Sequence, residues 1–317
     1  MDAGAYTVLE KERVPDRFAL HYVRQTEWHV WHALWFWAMG LGSAVFVLRQ
    51  LYDIGEAGTL GGMPLPDLLG VVLVALGGIV LILDLGRPGR FLNSLREPGR
   101  SWIARGVIAD FTFLILGVLY LLPGALPGLP WNNAPFASAS LISQIFIGLM
   151  ILMAAVIMVY PGLVLSASAL VPFWDSPLVP VLFIGLAFQS GFGLVTPLLL
   201  GAGNLTPAYA SAMGTGLLAA LLANLGLTAF YAYDRFQSPG ASRLSVQQLV
   251  GGWPFWLTVL VGMALPAVLI ALAKAGIWTT PGLWLAAVLA VLSSLGWRYV
   301  QLRAGFYRTP LDGIAGR

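Results

Sequence analysis

The sequence predicts an all-α polytopic membrane protein whose eight transmembrane helices form two four-helix bundles. The composition is the first observation behind this prediction: 58% of the 317 residues are hydrophobic and 10% are charged, whereas soluble domains have about 25% charged residues. The second is a set of eight apolar runs, each long enough to cross the roughly 30 Å hydrocarbon core, which takes about 20 helical residues. These runs are continuous rather than alternating, so they favour helices over barrel strands.

The eight runs give the predicted spans in chain order. They are Val30–Tyr52, Leu68–Leu85, Trp102–Leu122, Ala137–Val164, Pro177–Leu200, Ala208–Tyr233, Trp253–Ala275 and Pro281–Leu302. Tryptophans fall near several predicted ends, as interfacial belts require. Pro161, in the fourth span, is expected to kink or end that helix near Tyr160, because proline lacks a backbone N–H.

The first 29 residues are polar and charged, without the apolar core of a signal peptide. They predict an extramembrane arm (1–29), followed by a membrane domain (30–302) and a C-terminal tail (303–317). The first span must then act as its own insertion signal.

Basic residues are distributed unequally between the two sides that eight spans define. The opposite side has only Arg49 and Lys274. The richer side, called the Arg-rich side below, has Lys11, Arg13, Arg17, Arg24, Arg87, Arg90, Arg96, Arg100, Arg105, Arg235, Arg243, Arg298, Arg303, Arg308 and Arg317. The positive-inside rule places this richer side, and both termini, in the cytoplasm. The membrane itself is expected to be the inner membrane of a bacterial or archaeal cell.

Cysteine and histidine counts exclude several redox centres. There is no cysteine, and the three histidines, His21, His29 and His32, all lie at or before the start of the first span. The chain therefore provides no cysteine ligands for zinc or iron–sulfur clusters, and no pair of histidines on facing helices for a b-type haem. We expect no haem, no metal and no nucleic-acid partner.

Polar residues near the Arg-rich side are the candidates for chemistry. Asp84 ends an apolar run and is followed by Arg87, so the two could form a structural ion pair or serve a proton route. Arg105 and Asp110, near the start of span three, carry the same two alternatives. His29 and His32, three residues apart, share a helix face, and together with Tyr160 they offer the donors and the proton-exchanging group that a quinone head group needs.

Four motifs resemble the polysulfide reductase membrane subunit (NrfD/PsrC-like) family. They are Asp84-Leu-Gly-Arg-Pro-Gly-Arg-Phe91, Pro98-Gly-Arg-Ser-Trp-Ile-Ala-Arg-Gly106, Tyr160-Pro-Gly and Pro172-Phe-Trp-Asp-Ser-Pro177. A less specific Arg303-Ala-Gly-Phe-Tyr307 follows in the tail. One departure is Ala104, where the family pattern suggests a second serine, so the polar role of this helix start is not assigned.

The resemblance implies a haem-free anchor that binds quinone (menaquinone or ubiquinone) and is not catalytic alone. Its implied partners are a four-cluster ferredoxin-like iron–sulfur subunit and a molybdopterin catalytic subunit. Proton translocation coupled to the electron exchange is a further expectation. We expect the docking surface to include Arg90, Arg96, Arg100, Asp175 and Arg235. Two alternatives stay open at this stage: a secondary transporter, and a purely structural tether for a redox complex.

Overall fold

The computed structural model describes residues 22–52, 54, 58–84, 98–126, 141–203 and 207–308. Its helices, in chain order, are α1 Val30–Tyr52, α2 Leu65–Asp84, α3 Trp102–Ala125, α4 Leu141–Ser166, α5 Leu178–Gly201, α6 Pro207–Gln237, α7 Ala241–Gly251, α8 Trp253–Trp256, a π-helical segment Leu257–Ala264, α9 Leu265–Lys274 and α10 Thr279–Ala304. A short hairpin, β1 Thr59–Leu60 with β2 Met63–Pro64, precedes α2.

The prediction of an all-α membrane protein with eight spans is confirmed. Eight helical stretches in the described residues are long and apolar enough to cross a bilayer, the seventh being the continuous run Trp253–Lys274 built from α8, the π-helical segment and α9. Bounds differ from the predicted ones by a few residues at several ends. The predicted start of the fourth span, Ala137, lies outside the described residues.

Three local features differ from the sequence expectations. Helix α4 does not end at Tyr160 but continues through Pro161 to Ser166. The predicted loop 234–252 contains α7, an 11-residue helix that buries one face through Ala241, Ser245 and Leu249. Because α7 is polar in composition, no continuous apolar run marks it in the sequence. The hairpin before α2 turns at Gly61 and Gly62, which both have positive φ, as a tight two-residue turn requires.

Helix α1 packs against α2, α4, α5 and α10 and is, with α5, the most buried of the spans. Glycines allow the closest of these approaches, since a Cβ on Gly42 would overlap the backbone of Gly70 on α2, the small-residue packing usual between membrane helices. Helix α5 in turn contacts α1, α4, α6 and α10. Because α5 packs on helices from both ends of the chain, the grouping into two four-helix bundles stays a prediction.

The described ends of the chain meet beside α10. Gln25 N donates to Gly305 O at 2.9 Å, Tyr307 N donates to Val23 O at 2.8 Å, and Arg24 forms a β-bridge with Phe306. Both ends therefore lie on one side of the helices, as an even number of spans requires. The division into arm, membrane domain and tail stays a prediction.

Candidate functional site

A cavity of about 180 Å³ lies between α1, α2 and α3. Its walls are apolar, with Met39, Gly78, Ile82 and Phe111 among them, and Asp110 is the one charged residue in its lining. Ile82 and Phe111 are also exposed on the outer surface of the helices, so the cavity opens between α2 and α3 towards the lipid. An apolar cavity of roughly 150 Å³ accepts a benzene ring. This one therefore has room for one six-membered ring and none for a long side chain.

Asp110 receives its hydrogen bond from the tyrosine of the fourth span. Tyr160 Oη donates to Asp110 Oδ2 at 3.0 Å and lies 3.4 Å from Met39 Sδ. Asp110 Oδ1 is buried and has no partner among the described residues. A buried carboxyl oxygen without a partner is rare in proteins, and Asp110, which carries this one, is among the residues that line the cavity.

The space for the Tyr160 ring exists because residue 106 is glycine. A Cβ at Gly106 would overlap the ring atoms of Tyr160. On its other side the ring stacks on Trp35 of α1, with centroids 6.2 Å apart and planes 27° from parallel. Tyr160 is thus fixed between α1 and α3, and its hydroxyl has one main acceptor. The Gly106 position was part of a sequence motif, but only the packing explains it.

A second polar cluster joins the start of α1 to the end of α2. His32 Nδ1 lies 3.2 Å from Asp84 Oδ2, and His29 Nε2 lies 3.7 Å from Asp84 Oδ1. All three side chains are partly exposed. The predicted Asp84 pair is therefore made with histidines within the described part of the chain. Arg87, its predicted partner, lies outside the described residues.

The first turn of α1 is held in place by the segment before it. Trp28 packs on the His32 ring, with centroids 4.7 Å apart. Gln25, fully buried, accepts from Trp28 N at 2.8 Å and donates to Trp28 O at 2.8 Å and Leu302 O at 2.6 Å. These bonds tie the histidine turn to the last turn of α10. Sequence reasoning missed Gln25, since nothing in its local context marks it as buried.

The cluster and the cavity are neighbours along α2. Leu81 and Ile82 line the cavity, and Asp84 follows Ile82 by two residues, which is about 3 Å along a helix axis. The cluster therefore lies just beyond the cavity, towards the Arg-rich side. The structure therefore brings Tyr160 to Asp110 and both histidines to Asp84, as two separate polar groups.

The same three cluster residues are the ones that could hold a metal ion among the described residues. Their donor atoms lie within 4.8 Å of one another, and two imidazoles with one carboxylate are a ligand set that zinc accepts. Our expectation that the chain binds no metal stays a prediction. The described chain has no cysteine, and its histidines all lie at this one place.

Several predicted residues serve other contacts. Arg105 is exposed, donates to Pro98 O and Gly99 O at 2.8 Å each, and lies over the Trp102 ring, whereas Asp110 is buried and bonds Tyr160. The two do not form the pair considered from the sequence. Arg235 donates to the backbone oxygen of Asp175 at 2.7 Å, so these two docking candidates are adjacent.

Of the remaining docking candidates, Arg100 is exposed. Arg90 and Arg96 lie outside the described residues.

Two further polar groups in the spans were not recognised from the sequence. Asp67 is buried near the start of α2, 3.5 Å from Arg49 Nε, and accepts from Gln50 at 3.1 Å and from Tyr120 at 3.4 Å. The predicted second span began at Leu68, one residue too late to include it. Arg298 was counted among the loop arginines but is fully buried and bonds backbone oxygens of Ser294 and Phe183.

Comparison with known proteins bears on the whole of this arrangement. A family model described as "Polysulphide reductase, NrfD" matches residues 21–310. The chain belongs to this family. The match includes every described helix and both polar groups of the site, so the resemblance predicted from the four motifs is confirmed. A search of curated proteins found no match.

NrfD proteins are membrane subunits of oxidoreductase complexes and are generally associated with quinone. A multi-pass membrane protein that works with partner subunits is therefore established at the level of the family.

Proposed function

We propose that this NrfD-family protein is a haem-free anchor that exchanges electrons between the membrane quinone pool and a docked iron–sulfur subunit. The observation that carries the proposal is the unpartnered Asp110 Oδ1 in a ring-sized apolar cavity. The docked partner is a four-cluster ferredoxin-like protein, itself bound to a molybdopterin catalytic subunit. Quinone, menaquinone or ubiquinone, is the substrate and supplies two-electron, two-proton chemistry.

The cavity matches the shape and polarity of a quinone head group. Its volume takes the ring that bears the two carbonyls. Its opening between α2 and α3 leaves the isoprenoid tail, and the second fused ring of a menaquinone, towards the lipid. Asp110 Oδ1 can donate to a ring carbonyl when the carboxyl is protonated and accept from a ring hydroxyl when it is ionised. Tyr160 holds the other carboxyl oxygen at 3.0 Å, so it orients Asp110 rather than touching the ring. Tyr160, a predicted quinone contact, is here proposed as a positioning residue.

The histidine cluster provides a route for protons between the cavity and water. Asp84 lies two residues beyond Ile82 of the cavity wall, and both Asp84 and His32 are partly exposed. Histidine is the side chain that exchanges protons most readily near neutral pH. We therefore assign His32 and Asp84 to proton exchange with Asp110. His29, the more exposed of the two histidines, is assigned to the end of this proton route that faces water.

The partner docks on the side where both groups lie. Without a haem, electrons cannot cross the bilayer through this chain, since transfer through protein falls steeply with distance. The accepting cluster must therefore approach the cavity from the Arg-rich side, where Arg100, Asp175 and Arg235 are available among the described residues. Arg90 and Arg96 are the further predicted contacts.

Quinol turnover by the purified complex tests this assignment. A quinol analogue is titrated into wild type, His32→Ala and Tyr160→Phe, with His21→Ala and Tyr231→Phe as matched controls. Tyr231 is likewise fully buried but donates to Phe173 O, away from the cavity. We expect His32→Ala to lose turnover by about 10²-fold or more, as loss of a proton-transfer group does. Tyr160→Phe should also lose turnover, because Asp110 is then no longer oriented by its hydrogen bond. Unchanged turnover and unchanged analogue binding in both would remove the site.

The two alternatives give different results in the same preparations. A secondary transporter would take up a solute into proteoliposomes that contain this chain alone. A structural tether would purify without quinone, and inhibitors of quinone sites would leave turnover unaffected.

The cytoplasmic location of both termini is tested by reporter fusions. A C-terminal fluorescent protein is expected to fluoresce and a C-terminal alkaline phosphatase to be inactive.

A further inference from the structure

A second cavity, of about 130 Å³, lies apart from the candidate quinone site. It is enclosed by the segment before α1, by the junction of α7 and α8, and by the last turns of α10. Arg24, Tyr299 and Arg303 line it, together with Gln248 and Phe255. Nothing in the proposed electron transfer uses this cavity, although it lies on the same Arg-rich side.

The cavity collects several hydrogen-bond donors that have no acceptor in the described part of the chain. Arg24 Nε donates to Arg303 O at 2.7 Å, which fixes the Arg24 side chain at the cavity wall. Among the described residues, the other N–H groups of Arg24, the guanidinium of Arg303 and the hydroxyl of Tyr299 have no hydrogen bond and no carboxylate partner. All three side chains are half-buried, so their donors converge on one place where an acceptor with several oxygens can bind.

The two arginines are close enough to affect each other. Partial burial, with the neighbouring charge of Arg303, lowers the pKa of Arg24. Like charges that share a site are unfavourable unless an anion lies between them. A group with several anionic oxygens would satisfy both guanidinium groups at once, because the planar fork of arginine matches phosphate and carboxylate geometry.

The surroundings identify the anion as part of a lipid. Trp253 is 74% exposed and Trp256 is 48% exposed on the helix that begins beside the cavity, a position typical of the aromatic belt at the membrane interface. Basic pockets between membrane helices bind anionic phospholipid headgroups. The volume of the cavity accepts a phosphate group but is too small for an acyl chain. The acyl chains of a bound lipid would therefore lie outside the cavity, along the exposed surface of Trp253.

We propose that Arg24, Tyr299 and Arg303 bind the phosphate of one anionic phospholipid molecule at the membrane interface. The bound headgroup would join the segment before α1 to the end of α10. That segment continues through Gln25, which is bonded to Leu302 O and to Trp28, so the lipid stabilises the turn that carries the two histidines.

The test compares lipids and variants in the full-length chain. Wild type, Arg303→Gln, Arg24→Lys and Tyr299→Phe are delipidated in detergent and then titrated with dioleoylphosphatidylglycerol, dioleoylphosphatidylcholine or inorganic phosphate. Native mass spectrometry counts bound lipid, and the shift in Tm measures stabilisation. Arg243→Gln is the matched control, since Arg243 is an exposed arginine of α7 that stacks on Phe236 and lines no part of the cavity.

We expect wild type to bind one phosphatidylglycerol and to gain Tm with it, but not with phosphatidylcholine. Arg303→Gln should weaken that binding more than about tenfold, since a hydrogen bond to a charged group is lost, while Arg243→Gln should not. Arg24→Lys and Tyr299→Phe should give intermediate losses with the fold retained. These two conservative variants preserve the test if Arg303→Gln does not fold.

Three results would overturn the proposal. Equal retention of phosphatidylglycerol by wild type and by the three cavity variants would place the lipid elsewhere. Equal stabilisation by inorganic phosphate would make the site a phosphate site rather than a lipid site. No lipid binding, with loss of partner-subunit assembly in the variants, would assign the donors to a carboxylate of the partner. None of these results depends on quinol turnover, so the proposed function stands or fails separately.

Discussion

Replacement of Asp110 by asparagine separates proton transfer at the cavity from the shape of the cavity. The amide has nearly the volume of the carboxyl, and its oxygen can still accept the hydrogen bond that Tyr160 makes at 3.0 Å. The apolar walls are untouched, so the ring-sized space of about 180 Å³ is kept. Only the ability of residue 110 to bind or release a proton is removed.

The expected magnitude follows from this single loss. Proton transfer by a positioned side chain typically contributes about 10²–10⁴-fold to a rate, so quinol turnover by Asp110→Asn should fall by that factor. Binding of a quinol analogue should change by less than about tenfold, because at most one hydrogen bond of roughly 1–2 kcal/mol is altered. A fall in turnover with nearly constant binding is the pattern that a proton-exchanging residue predicts.

The assay is steady-state quinol oxidation by the purified complex, with analogue binding measured on the same samples. Asp67→Asn is the control, since Asp67 is the other fully buried carboxylate of the described spans and lines no part of the cavity. Thermal unfolding normalises both variants to folded protein. Wild-type turnover in Asp110→Asn would refute the role of Asp110, and an equal fall in Asp67→Asn would show that the effect is not specific to the cavity.

Three further predictions concern a glycine contact, a buried ion pair and a set of hydrogen bonds. Gly106→Ala should displace the Tyr160 ring that it would overlap and reduce turnover at least about tenfold, whereas Gly148→Ala on α4, which meets open space, should leave turnover unchanged; equal effects would contradict the packing argument. Asp67→Ala should destabilise the protein by about 3–5 kcal/mol in unfolding measurements, because it removes the buried carboxylate that lies 3.5 Å from Arg49 Nε, and a loss below 1 kcal/mol would contradict a buried ion pair. Gln25→Ala, which removes three hydrogen bonds to backbone groups, should lower stability by about 2–4 kcal/mol, compared with no measurable change in the exposed Gln247→Ala.

Some features of the protein can be predicted from local sequence patterns alone. Span positions follow from local hydropathy, because a helix must match the thickness of the bilayer whatever its neighbours are. Tyr160, His32 and Asp84 were recognised as candidates because a polar group at a span end or beside a proline stands out against an apolar background. The family was recognised for a related reason, since its motifs lie in continuous short segments.

Contacts between distant segments could not be read in the same way. Asp110 meets Tyr160 fifty residues away in the chain. Asp84 meets His32 of α1 and His29 just before it, and Asp67 meets Arg49. Each pair depends on the rotation of two helices about their axes and on which helices become neighbours. Side-chain packing decides both the rotation and the neighbours of each helix. Hydropathy predicts neither of them when all faces of a span are apolar.

The sequence by itself determined the membrane class, the number of spans and the family. The tertiary structure alone decided that Asp110, rather than Tyr160, lines the cavity, that Arg105 is turned to the surface, and that Arg298 is buried in the core. The physical reason is that hydrophobic matching to the bilayer depends on composition along one segment. The environment of a polar group depends instead on close packing among several segments, where one glycine such as Gly106 determines what can lie beside it.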